Sequence, residues 1–240
     1  ELNENSIYNK VVAMSITNKP YGRKTKKKVG LYLMEADRNS VMEKLRQIPD
    51  KQLVGHLFSY FYNGNDLIRF RSVSAMGVLA AKIASYNMER ARIILRRIMW
   101  NLNDESGGIG WGSPEAMGEI LALCPKLAEG FKSILFSYLD PDGNYIEHEM
   151  LQRGVLWGIG TYLKTCPSDL DDKTRALLHE HLHSPDPARR AYSIRALTNG
   201  LSLDYRLAPE SLLQDECKIN IYNGWDFVPF RIASLFSTLV

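Results

Sequence analysis

Carboxylates and indoles crowd one short stretch of this 240-residue chain, the string WNLNDESGGIGWGSPEAMGE that runs from Trp100 to Glu119. Acidic side chains stand at Asp104, Glu105, Glu115 and Glu119, with Trp100 and Trp111 beside them as potential stacking walls. Glu115 and Glu119 lie four apart, so on a helix starting near Ser113 they share one face. With Asp104 or Glu105 supplied by the end of the preceding helix, such a set can coordinate a cation or receive a basic ligand group. Gly107, Gly108, Gly110 and Gly112 permit positive φ angles and close backbone approach to a bound group. Ser113 and Pro114 suit the first positions of the helix that follows. The candidate ligand-binding set is therefore Trp100, Asp104, Glu105, Trp111, Glu115 and Glu119. The competing reading is a glycine-rich turn between helices whose tryptophans fill the core, with Glu115 held by the free amides of the helix start. No G-K-[ST] is present and no strand precedes the glycines, so neither a P-loop nor a dinucleotide fingerprint is legible. No cofactor is expected.

Other chemistry-bearing residues are sparse. The pairs His148-Glu149 and His179-Glu180 fall on different predicted helices, with His181 and His183 nearby. They read as surface polar residues, because a metal site needs three or four ligands meeting at one point. Cys124, Cys166 and Cys217 are odd in number and widely spaced, which argues against a disulfide framework and a cysteine zinc site and favours reduced thiols in the cytoplasm. The net charge of +3 is small, and positive charge clusters only at Arg23, Lys24, Lys26, Lys27 and Lys28. That run reads as a solvated basic arm, giving at most weak, salt-sensitive attraction to nucleic acid. Arg92, Arg96 and Arg97 read as a solvated helix face. With 45% apolar and 24% charged residues the chain has the composition of a soluble globular protein. No apolar run approaches the ~20 residues of a spanning helix, and the polar start at Glu1 to Lys10 carries no signal-peptide core. No membrane partner is expected.

An internal repeat organises these residues. The segment from Asn65 to Gly77 aligns without gaps on Asp186 to Thr198, and weaker copies end at Gly118 and Gly160. Equivalent small positions thus fall at 77, 118, 160 and 198, in steps of 41, 42 and 38. Steps of ~40 to 47 residues suit a pair of antiparallel helices that buries its apolar face only against neighbouring pairs. Ile68, Ser72, Val73, Ala75, Met76 and Leu79 form one apolar stripe at helical spacing. Its small members admit a neighbouring backbone. The periodicity predicts helices near 40–48, 51–62, 66–84, 88–102, 113–125, 129–139, 144–164, 172–183 and 187–200, separated by turn residues such as Asn63-Gly64-Asn65 and Pro185-Asp186-Pro187. Helical period then gives way to alternation at Lys218 to Tyr222, a hairpin signal at Asn223-Gly224 and an aromatic run from Trp225 to Phe230. This predicts a β-hairpin and a short final helix at 232–239, capping the apolar flank of the last repeat.

The repeat pattern, D-x-x-V-R-x-x-A-A-x-A-L-G in idealised form, resembles the HEAT-like repeats of bilin lyase subunits and many bacterial scaffolds. The string NDESGGIGWGSPEAMGEI within such repeats looks like a small uncharacterised bacterial HEAT-like family, a likeness that covers most of the chain and carries no activity with it. The resemblance implies an all-α, armadillo-like fold, a HEAT-like α-α superhelix (solenoid) with a small C-terminal β-hairpin. It would comprise an N-terminal extension with the basic arm at 1–39, repeats at 40–205 and a cap at 206–240, in one structural domain. Deoxyhypusine hydroxylase, a HEAT-repeat enzyme, holds two irons with four His-Glu pairs in equivalent positions. The two pairs here match it in neither count nor register. Alkylpurine DNA glycosylases are HEAT-like proteins of similar length, and Trp100 with Asp104 one turn on offers an aromatic platform beside a carboxylate. The repeated Lys and Arg positions of a phosphate-tracking groove are missing.

No nucleophile elbow or metal set is legible, so the expected role is a cytoplasmic scaffold that binds another protein or peptide in the groove of the repeats. The alternatives are an enzyme or ligand-binding protein with its site at the turn 104–119, and a DNA-binding HEAT-like protein.

Overall fold

Turn residues with short polar side chains start five of the helices, each satisfying amides that the first helical turn leaves free. In the computed structural model, which describes residues 18–103, 109–204, 206 and 208–237, Asp37 Oδ1 accepts from the amides of Asn39 and Ser40. Asn65, Asn87, Asp171 and Asp186 cap later helices in the same way. The helices are α1 (Asn18–Leu33), α2 (Arg38–Arg46), α3 (Asp50–Tyr60), α4 (Asp66–Tyr86), α5 (Met88–Leu102), α6 (Ser113–Leu123), α7 (Pro125–Ser137), α8 (Glu149–Leu163), α9 (Asp172–His181) and α10 (Pro187–Asn199). An antiparallel hairpin of β1 (Lys218–Tyr222) and β2 (Phe227–Arg231) follows, then α11 (Ile232–Ser237). The fold is all-α with one small hairpin.

The helices stack in two layers. α4, α6, α8 and α10 lie side by side in chain order, while α3, α5, α7 and α9 back them. The repeat explains the close stacking. A Cβ at Gly118 would lie 2.3 Å from the Gly158 carbonyl oxygen, and one at Gly77 would lie 3.0 Å from the Glu119 Cβ. Helices α6 and α8 therefore touch backbone to backbone, and only glycine permits it. Met76, Leu95, Met117 and Tyr162 lie in the core of the stack and are essentially inaccessible.

Four local expectations change. The basic run is not an arm: it occupies α1, whose Val29 and Leu33 are fully buried one turn apart while Arg23, Lys24, Lys27 and Lys28 face solvent. Tyr60 of α3 donates to the Lys26 carbonyl at 2.7 Å and fixes the helix. The helix predicted from 144 starts at Glu149. Residues up to His148 are instead drawn back onto Tyr138, where the buried Gln152 Nε2 donates to the carbonyls of Tyr138 and Ile146. The Asn223-Gly224 turn is a four-residue loop, because Tyr222 pairs with Phe227 and the Asn223 amide bonds the Asp226 carbonyl.

The hairpin differs most. It does touch α10, yet it also crosses the free face of the inner layer to the segment that follows α1. Phe70 of α4 packs on Tyr222 and Phe227 with ring centroids 5.1 and 5.3 Å away, and Trp157 of α8 lies 6.2 Å from Tyr222. At the loop tip Trp225 donates through Nε1 to the Glu35 carbonyl, while Arg71 of α4 donates to the carbonyls of Trp225, Leu33 and Glu35. Arg71 is 3% exposed, so one buried guanidinium ties the hairpin loop and the end of α1 to α4.

Candidate ligand-binding chamber

Because α4, α6, α8 and α10 run alongside one another, the turns that begin them come together. The hairpin borders this end of the layer, and between them lies a half-open chamber of about 550 Å³. Its walls are Asn65, Asp66, Leu67, Arg69 and Phe70 from α4 and its cap; Trp111 and Glu115; Met150, Leu151, Arg153 and Gly154 from α8; and Ala188 and Tyr192 from α10. Ile219, Asn220 and Phe227 come from the hairpin. A volume of this size suits an organic small molecule.

Glu115 stands in the wall in the first turn of α6 and is 8% exposed. Its Oε2 has no hydrogen-bond partner among the described residues. Burial is the main cause that pushes its carboxyl up to about 6, opposed by its own backbone amide and by the charge of Arg69. A Cβ at Gly154 would lie 2.8 Å from this carboxylate, so α8 leaves a gap for it. Among the described residues Glu115 makes no ion pair of its own. Arg69 is ion-paired with Asp66 at 2.9 Å, and Arg153 with Asp186 at 2.6 Å. Asp186 also caps α10, accepting from the Ala188 amide. Opposite, burial first and the Glu115 charge next push the Tyr192 phenol up to about 12, so it remains a hydroxyl donor.

The six residues singled out in the sequence scatter. Trp111 and Glu115 line the chamber, and the Trp111 ring meets His148 edge-on at 5.4 Å. Gly112, with φ +70°, makes the turn between them against the Phe61 ring. Glu119 shares the helix but faces α4, where it accepts from the Ser74 hydroxyl at 3.0 Å. Burial raises its carboxyl too, offset by Ser74 and by the charges of Arg195, Arg38 and Lys164. Trp100 is 73% exposed on α5, in the backing layer, and takes no part in the chamber. Asp104 and Glu105 lie outside the described residues. Sequence reasoning passed over Asp66, Arg69, Arg153, Gly154 and Tyr192. One signal was present: aligning Asn65 with Asp186 already places the first turns of two inner helices in equivalent positions.

The other candidates also find places. His179 is buried, not superficial, with Nε2 3.4 Å from the Ser202 carbonyl, whereas His148 is exposed. Among the described residues no group of three or more His, Cys, Asp or Glu side chains is arranged to hold a metal ion. Arg96 pairs with Glu89 and Arg97 lies over the Phe58 ring at 4.1 Å, both on the backing layer. Cys124 is buried and Cys217 exposed, and all three thiols are free. No described helix is long and apolar enough to cross a membrane.

No protein-family model matches the chain. It is similar to a protein of Archaeoglobus fulgidus described only as uncharacterised, with 27% identity over 179 residues that cover 75% of this chain and 91% of that protein.

Proposed function

We propose that this chain is a HEAT-like helical-repeat protein that binds a small molecule in the chamber under its hairpin. Helix pairs stacked at steps near 40 residues support the HEAT-like kinship. The observation that carries the binding reading is Glu115, a buried carboxylate with an unpartnered oxygen in the wall of a half-open cavity. Leaving a buried acceptor unsatisfied costs about 1 to 3 kcal/mol, more for a charged group, and a bound ligand removes that cost. An extended peptide is the poorer occupant, since the face it would lie on is crossed by the hairpin. The binding site thus shifts from the glycine-rich turn itself to the helix starts beyond it, retaining Trp111 and Glu115.

The test is a thermal-shift screen of a metabolite library against the wild type and Met150→Trp. Met150 lines the chamber and is 40% exposed, so an indole there narrows the opening without disturbing the core. Hits should raise the wild-type melting temperature and lose their effect on the variant. Hits that stabilise both proteins equally would place binding elsewhere and refute the proposal.

A further inference from the structure

The charge balance of the chamber narrows the ligand class, on the premise that the chamber is the binding site. Two cations and two anions line it, Arg69 and Arg153 against Asp66 and Glu115. Both guanidiniums already have carboxylate partners, with Asp66 on Arg69 and Asp186 on Arg153. An incoming anion would have to displace one of these. Glu115 alone is left over. Its neighbours from the packed elements are Asp66 and Arg69 on α4, Arg153 on α8 and Tyr192 on α10, and the hairpin contributes no charge, only Ile219, Asn220 and Phe227. Two of the inner helix starts, α4 and α10, have amides satisfied by Asn65 and Asp186, which weakens their pull on anions. Aromatic rings at Phe70, Trp111, Tyr192 and Phe227 complete the wall. A carboxylate among aromatic faces is the setting in which organic cations are held, by charge-assisted hydrogen bonds and by attraction to the ring faces.

We infer that the chamber takes a small organic cation, an amine, amidine or guanidine drawn to the Glu115 carboxylate in its wall. The cation supplies the counter-charge that Glu115 lacks, and Gly154 gives the carboxylate its place against α8.

The test uses three probes of nearly one shape on the intact protein: benzamidine (cationic), benzamide (neutral) and benzoate (anionic), titrated by calorimetry at pH 7.5. Benzamidine should bind most tightly, and Glu115→Gln should weaken it about ten-fold or more, the loss expected of a charge-assisted bond. Its affinity should also fall as pH drops from 7.5 to 5 and Glu115 takes up a proton, while benzamide changes little. Circular dichroism and melting of the Gln variant establish that the fold is kept. If benzoate binds best, and better still to Glu115→Gln, the class inference fails while the chamber reading stands. If benzamidine binds wild type and Glu115→Gln alike, or none of the three binds, the inference is overturned. The Met150→Trp screen judges the chamber separately.

Discussion

Burial lifts the Glu115 carboxyl to about 6 from an ordinary value of 4.5, and this has a direct consequence for stability. The folded state holds that proton more tightly than the unfolded chain, so stability is unpenalised below about pH 4.5 and falls as pH rises through 6. A shift of this size corresponds to about 2 kcal/mol above pH 7. Glu115→Gln should therefore unfold at higher denaturant than wild type at pH 7.5, with the advantage gone at pH 4.5. An unchanged midpoint at pH 7.5 would mean that Glu115 is better satisfied than its surroundings indicate. Glycines at helix contacts give the opposite kind of effect. Gly118→Leu should cost about 3 kcal/mol or more, since no rotamer avoids the Gly158 backbone. Gly130→Ala, on an exposed stretch of α7 with nothing within 4 Å, should stabilise by about 0.5 to 1 kcal/mol. Melting curves of the two variants check the contrast. At this scale the small positions 77, 118 and 160 were legible because they recur with the repeat. Gly154 was not, because its reason is a single carboxylate from another helix.

For α2 to α10 helix order and type followed from period and punctuation, and some departures from the predicted spans trace to a particular side chain. Gln152 is one such residue: a buried amide that needs two carbonyls draws 144–148 out of the helix. In α1 the lysines masked a helix whose apolar face is only Val29 and Leu33 wide, too narrow for the charge run to read as anything but solvated chain. The hairpin was visible as alternation, but its destination was not. It is set by Arg71 and Trp225, 154 residues apart, and no periodicity links them. Trp225 is 7% exposed and makes both a ring contact with Arg71 and a hydrogen bond to Glu35. Trp225→Ala should cost about 3 to 5 kcal/mol, the range for deleting a buried indole. The lost stability should be localised, with faster amide exchange in β1 and β2 than in α8. Equal acceleration throughout the protein would show that the hairpin is not a separately anchored element.

At the scale of the whole molecule, two layers of helices and a strap across one of them turn an open face into a half-open chamber. The layers are an outcome of the repeat, and each inner helix brings its first turn to the same end. The strap makes that end a cavity, so the binding reading depends on the contact of the hairpin loop with Arg71 and Glu35. The account's central claim is that ligands enter this chamber and not the turn or the backing layer. Hydrogen–deuterium exchange read by mass spectrometry, with and without a saturating hit from the metabolite screen, tests it most directly. Protection should concentrate in peptides covering 65–70, 111–115, 150–154, 188–192 and 219–227, the chamber walls. Protection confined to the helix Met88–Leu102, around the exposed Trp100, would contradict it.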